Sequence, residues 1–510
     1  MWLIMHVAIL LPIISLARAA PSTKDFTAAT SLPRKSAFET RRLPDAPEIP
    51  KNWAGRLDIP ATPRGNSLFF WLFSAEDKAY DDNLIIWLNG GPGCSSLVGA
   101  FLENGPLRFM GNSTAPEINP YSWAKLGHVL YIDQPVGTGF ASEKVTVTSN
   151  KEVISNLYSW LVSFDAIFDH ILRTKKVHIV GESYAGIYIP YIASEIVKRK
   201  SELPVNLVSI AIGDGTIGPN TGMSSLGMVG FLEEYASKLR IPRDIMNAIS
   251  FGDHACGFDE IRQRAKVYPP RSPFHLPGKS GSANSTGISN MLQKGVVDES
   301  LGPCNTHPDT PEKIKSSILN STCYGHCAVF EATADYMSSQ DCFSIYNINY
   351  GCNFINPTSI LEAYFSRSDV QIALNLMHPT DPLRPFQSCN PRILETLMAP
   401  ANRPAPPSFE ILPDLLTTHK LPVHIYQGRL DMLINHVGIE VTIQNMTWNG
   451  AQGFQDSLHF EFGRRKDKAV GLWNEERGLS YHLFFEGGHF LPADLPKEVF
   501  NYVKEVVLRL

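Results

Sequence analysis

The chain has 510 residues, 44% of them hydrophobic and 19% charged, a balance that supports a large buried core in one domain with insertions or in roughly two to three ordinary ones. Its 45 basic and 50 acidic side chains give a formal net charge of -5, and the short basic runs at 34–36 and 464–466 form no stripe, which excludes nucleic acid as a partner. Past the first twenty residues no stretch reaches the roughly 18 apolar residues that cross a bilayer, and the C-terminus has no long apolar tail, so no membrane anchor is expected.

Residues 2–16 are almost wholly apolar and lead to Ala17-Arg18-Ala19, small residues at the two positions a signal peptidase reads. Residues 1–19 are therefore expected to be a signal peptide, although no Lys or Arg precedes the apolar run. Residues 20–50, rich in Ser, Thr, Pro and charge around Arg41-Arg42, read as a zymogen propeptide or a loose N-terminal arm. Strand patterns follow at 68–73, 83–89 and 128–133, the second ending in a glycine-rich turn. Apolar residues recur at three and four over 150–172, predicting a helix. A buried strand at 177–183 runs into a turn and a helix over 187–200, and 207–215 is strand again. This alternation predicts an α/β fold with a mostly parallel central sheet flanked by helices. It breaks down after about 217, in a loop-rich stretch with Pro-rich passages, and resumes with strands at 421–428 and 481–488; 498–510 reads as an amphipathic closing helix. The expected division is a core of 51–216 and 409–510 around an insertion, or cap, of 217–408.

Eight cysteines, six of them between 256 and 352, fit disulfides in an oxidising compartment. Cys323 and Cys327 have no second close Cys or His pair to complete four ligands, so zinc is not expected; neither is any other metal or a cofactor. Asn112, Asn284, Asn320 and Asn445 each head an Asn-x-Ser/Thr sequon, and behind a signal peptide they are expected to carry glycan. Together these features predict export to the extracellular space, with a vacuole- or lysosome-like lumen as the other destination.

The chemistry is concentrated at strand ends. Gly181-Glu182-Ser183-Tyr184-Ala185-Gly186 lies between a buried strand and a helix, where a sharp turn exposes a nucleophilic serine; the usual glycine two residues after the serine is Ala185 here. A serine hydroxyl needs a base, and the base needs a carboxylate to hold its tautomer. Asp431 and His489 directly follow the two late strands, on the same sheet edge as Ser183, in the order Ser, Asp, His. Taken singly, Asp431 could cap a helix and His489 could be a core histidine; their shared edge and order favour a triad. An oxyanion hole needs two preorganised N–H donors, and Tyr184 and the loop Trp87-Leu88-Asn89-Gly90-Gly91-Pro92-Gly93-Cys94 are placed to provide them.

The blocks WLNGGPGCSS, GESYAGIYIP, GRLD and GGHFLP, in that order, resemble the four signature blocks of the serine carboxypeptidases, over roughly residues 50–510. The resemblance implies an α/β-hydrolase fold and removal of residues from peptide or protein C-termini through an acyl-enzyme. It implies Ser183, His489 and Asp431 as nucleophile, base and orienting acid, with Gly91 and Tyr184 giving the oxyanion amides. It also implies Asn89, Gly90, Glu103 and Glu182 as the site for the substrate carboxylate. Two adjacent carboxyls cannot easily both ionise, so one should hold a proton, which predicts an acid pH optimum for peptides and less pH dependence for esters. The resemblance further implies the bridges Cys94–Cys389 and Cys342–Cys352. Cys256, Cys304, Cys323 and Cys327 then pair among themselves, with 256–327 and 304–323 as one nested choice that the sequence does not select. Asp214 stands where the family often has Asn, and Ile434 stands where a member of the family has a free cysteine. A lipase, carboxylesterase or acyltransferase on the same fold, and a secreted binding protein without activity, are the competing readings; the paired glutamates count against the first and the intact triad against the second. Oligomeric state is not encoded in any pattern found.

Overall fold

A computed structural model describes residues 32–60, 62, 66–111, 113–219, 224–276, 310–321, 324, 326–352, 357–399, 402 and 407–510. The signal-peptide reading of 1–19, the sequons at Asn112 and Asn284, and the Cys304–Cys323 pairing fall outside these residues.

Ten strands form one sheet: β1 (Asn52–Asp58), β2 (Ser67–Phe73), β3 (Asn83–Leu88), β4 (His128–Asp133), β5 (Lys176–Glu182), β6 (Leu207–Gly213), β7 (Val423–Gly428), β8 (Phe460–Arg465), β9 (Lys468–Glu476) and β10 (Leu479–Phe484). Their spatial order is β1-β2-β4-β3-β5-β6-β7-β10-β9-β8. From β4 to β10 the neighbours run parallel, and antiparallel pairs close both edges. Alternate residues of one strand serve opposite faces: Phe70 and Leu72 join one apolar cluster, and Phe69, Trp71 and Phe73 join the other. Burial on both faces is why these strands read as continuous apolar runs. The outer strands β8 and β9 carry mostly exposed or half-buried residues, which erases the pattern that would have marked them in the sequence.

Helices α1 (Leu97–Leu102), α2 (Asn150–Ile167) and α3 (Ala185–Lys198) make the crossovers. Ser149 caps α2 by accepting the Glu152 N–H, a cap of the kind that stabilises a helix by about 1 kcal/mol. This is the mostly parallel sheet with flanking helices of an α/β-hydrolase fold.

The insertion contains a helical subunit in which Cys256 at the end of α4 (Arg243–Ala255) is bonded to Cys327. There the buried Arg262 guanidinium holds Asp253 with two bonds of 2.6 Å. Cys327 is thus a disulfide partner. Farther on, the helix Thr358–Phe365 buries Leu361, Tyr364 and Phe365 in the core cluster shared with β2 and α1.

Part of 20–50 also differs from a loose arm. Phe38 is buried and packs edge-on against Phe70 at 5.1 Å, and a Cβ on Gly55 would lie 2.7 Å from the Phe38 ring. Leu43 and Ala46 are buried too, and Tyr364 donates to the Pro44 carbonyl at 2.7 Å. The Ser/Thr/Pro composition concealed three anchor residues that this segment lays on the sheet. Arg41 and Arg42 remain exposed.

Candidate active site

Ser183 sits on the turn between β5 and α3 with φ of 60°, a left-handed conformation uncommon for a residue with a side chain and characteristic of a strained functional turn. The turn is tied down by Ser183 N–H to Gly213 O at 3.0 Å and Thr216 N–H to Ser183 O at 2.9 Å. Crowding explains the motif's glycines. A Cβ on Gly181 would lie 2.2 Å from Leu88 O and 3.0 Å from the Ala185 Cβ, so the bare Gly181 makes room for Ala185. A Cβ on Gly186 would lie 2.7 Å from Thr216 N, so the close approach of helix to strand is met one residue later than in the usual motif.

Asp431 follows β7 and His489 follows β10. His489 Nδ1 and Asp431 Oδ2 are 2.7 Å apart, and both residues are buried. Asp431 Oδ1 also accepts the Ile434 N–H at 3.1 Å. Burial nevertheless pushes the Asp431 carboxyl above its usual range, against the pull of His489.

The loop after β3 lies directly against the Ser183 turn. A Cβ on Gly90 would come within 2.4 Å of Tyr184 N and 2.8 Å of the Ser183 Cβ. Gly91, with φ of 105°, continues the loop. Asp133 at the end of β4 anchors it from behind, accepting Ser95 Oγ–H at 2.6 Å and Ser96 N–H at 2.9 Å, and Cys94–Cys389 ties it to the 388–390 segment.

Beside this loop is a buried cluster. Asn89 Oδ1 accepts from Trp87 Nε1 at 2.7 Å and from Gly99 N–H at 3.0 Å, which turns its amide nitrogen toward Glu182 Oε1 at 2.8 Å. Glu182 faces Glu103 within hydrogen-bonding reach, and both carboxyls are buried. Among the described residues, no other side chain or backbone amide donates to either Glu103 oxygen or to Glu182 Oε2. The pair is satisfied only when one carboxyl keeps its proton. Burial pushes Glu103 up to about 7, and burial with the Glu103 charge raises Glu182 well above its usual value.

The structure therefore gathers Ser183, Tyr184, Asn89, Gly90, Gly91, Glu103 and Glu182 around one turn, and pairs Asp431 with His489. It also shows positioning contacts that no motif announced. The 345–350 segment, inside the loop closed by Cys342–Cys352, clamps the loops that carry Asp431 and His489. Ile345 O accepts from Met432 and Leu433 N–H at 3.1 Å, and Tyr346 O accepts the His489 N–H at 2.7 Å. Asp494 gathers Gly488 N–H and Asn347 Nδ2–H at 2.8 Å each, and Tyr350 O–H. The contacts join positions 431–433, 488–494 and 345–350, separations that carry no periodic signal.

Residues 45–509 match the profile of the serine carboxypeptidase family. A carboxypeptidase Y homolog from Arthroderma benhamiae is 94% identical over 505 residues, covering 99% of this chain and all of that protein. Another carboxypeptidase Y homolog from the same organism is 30% identical over 498 residues, covering 94% of this chain and 88% of its own. Among solved structures, the prohormone-processing carboxypeptidase Kex1 from Saccharomyces cerevisiae superposes with a TM-score of 0.69 at 25% identity, covering 93% of this chain and 96% of that one.

Proposed function

This chain belongs to the serine carboxypeptidase family, and from that premise we propose that Ser183, His489 and Asp431 hydrolyse the C-terminal bond of peptides held by the Glu103–Glu182 pair. Ser183 Oγ attacks the last peptide carbonyl while its proton passes to the His489 imidazole, whose Nδ1–H is held by Asp431. The N–H groups of Gly91 and Tyr184 receive the oxyanion. His489 then gives its proton to the departing amino acid's nitrogen, leaving a Ser183 ester. Water attacks that ester, losing a proton to His489, and the carboxylic acid product leaves as Ser183 regains its hydrogen.

One observation carries the exopeptidase assignment: two buried carboxyls lie within hydrogen-bonding reach of each other beside Asn89, next to the Ser183 turn. A proton held there can be donated to a substrate carboxylate, whereas an ester or triglyceride offers no such group. Asn89 and Gly90 complete the recognition of that carboxylate. Binding is full while Glu103 keeps its proton and weakens as pH rises through its raised value, about 7, so peptide hydrolysis has an acid optimum. We further propose that the protein is exported, with a vacuolar lumen as the other destination, and that Asn112, Asn284, Asn320 and Asn445 carry glycan. Disulfides and sequons support this, and no described helix is long and apolar enough to cross a membrane.

The test is the time course of amino acids released from an N-blocked peptide at about pH 4–6 by the wild type and Ser183→Ala. Stepwise release from the C-terminus, lost in the variant and blocked by C-terminal amidation, is expected. Ester turnover without trimming would leave the triad standing and move the protein to the esterases or acyltransferases.

A further inference from the structure

Asp214, one residue past β6, is a buried carboxyl that the reaction above does not use. Its φ of 43° is strained for a residue other than glycine. Its backbone N–H donates to Tyr426 O at 2.9 Å, placing the side chain beside the end of β7. There Oδ1 accepts two protons, from Gln427 Nε2 at 2.7 Å and from Gly428 N–H at 2.8 Å. The Gln427 amide orientation is determined by its other contact, because the same nitrogen lies 2.7 Å from Ile434 O, which can only accept. Oδ2 is buried and receives no N–H or O–H among the described residues, and the Asp214 carboxyl lies within hydrogen-bonding reach of the Asp431 carboxyl.

Two carboxylates in that contact would repel with nothing between them, whereas one acid and one carboxylate make a strong O–H···O⁻ bond. We propose that Asp214 is a positioning residue: it stays protonated and donates its hydrogen from Oδ2 to Asp431, fixing the carboxylate that orients His489. This rests on the assignment of Asp431 and His489 to the triad. The other titratable groups facing Asp214 are Glu182, Asp494, Tyr426 and Tyr481. Burial and the negative charges among them all favour the protonated acid, as does Asp431 itself. The Gly428 N–H is the opposing influence, and the Gln427 N–H acts in the same sense. Loss of the Asp214 proton puts an anion against Asp431 and turns that carboxylate away from His489.

Asn at this position would keep both acceptances at Oδ1 and donate Nδ2–H to Asp431 with no proton to lose. The measurement is the second-order rate of fluorophosphonate labelling of the intact protein from about pH 6 to pH 10, which needs the triad but no substrate carboxylate. The wild-type rate is expected to fall about tenfold or more toward the alkaline end. Asp214→Asn should match it within about threefold at the acid end and keep its rate where the wild type falls. Asp214→Ala should be slower by about tenfold or more throughout, having lost the donor; should it fail to fold, the comparison of wild type with Asp214→Asn decides alone. Superimposed alkaline limbs for those two proteins, or a folded Asp214→Asn as slow as Asp214→Ala, would overturn the proposal. Ser183→Ala run alongside separates the two levels. Labelling that survives in it sinks the triad assignment and this proposal with it. An unlabelled Ser183→Ala with superimposed limbs sinks the role of Asp214 alone.

Discussion

Replacing Glu103 with glutamine should separate the proposed substrate recognition from the bond-breaking chemistry. In the wild type, burial raises Glu103 to about 7, so its own proton, which we assign to the peptide's carboxylate, is lost above that pH. Peptide kcat/KM should then fall about tenfold per pH unit, or about 30-fold by pH 8.5. The introduced glutamine offers an amide N–H that does not titrate. Exchanging a charge-assisted O–H donor for an amide donor costs about 1.5 kcal/mol, so peptide kcat/KM at about pH 5 should drop roughly tenfold, mostly through KM. Above neutrality the variant's profile should stay flat and meet the wild-type curve near pH 8. An uncharged ester assayed in parallel should change by less than about threefold at either pH, because the triad is untouched. A Glu103→Gln profile that breaks at the same alkaline pH as the wild type, or an ester rate that falls with the peptide rate, would refute the assignment of the carboxyl pair to substrate binding.

Gly90→Ala should lower kcat by about 100-fold or more in a folded protein, because its Cβ meets Tyr184 N at 2.4 Å and Glu182 O at 2.8 Å, backbone atoms of the turn that cannot yield; a rate within about threefold of wild type in steady-state assays would show that this contact is unimportant. His178 is buried between strands with Nδ1 2.8 Å from Ser209 Oγ, and burial lowers it to about 3. Its cost is absent above the unfolded value near 6.5 and grows as pH falls, reaching about 2 kcal/mol at pH 5. His178→Gln should therefore narrow the gap between melting temperatures at about pH 5 and pH 7, and an unchanged gap would mean that His178 stays solvated or charged.

The parts of this protein that its sequence alone determined are those whose physics is local. The strand–turn–helix at 176–198 was legible because a fully buried strand is an unbroken apolar run and a sharp turn requires bare residues at Gly181 and Gly186. Asp431 and His489 could be placed because each directly follows a core strand, and parallel strands bring their carboxyl ends to one edge. The pairing of Cys94 with Cys389 and Cys342 with Cys352 came only with the family resemblance, and Cys256–Cys327 waited for the tertiary fold.

Tertiary structure decided whatever depends on residues far apart in the chain. Charged, half-exposed β8 and β9 form strands because β10 offers an edge to extend, with little help from their own pattern. Phe38, Leu43 and Ala46 are anchors because the sheet leaves room for them. The carboxyl protons follow the same rule. A carboxyl in sequence is an anion by default, and burial in the folded chain, as at Glu103, Glu182 and Asp214, pushes it toward the neutral acid.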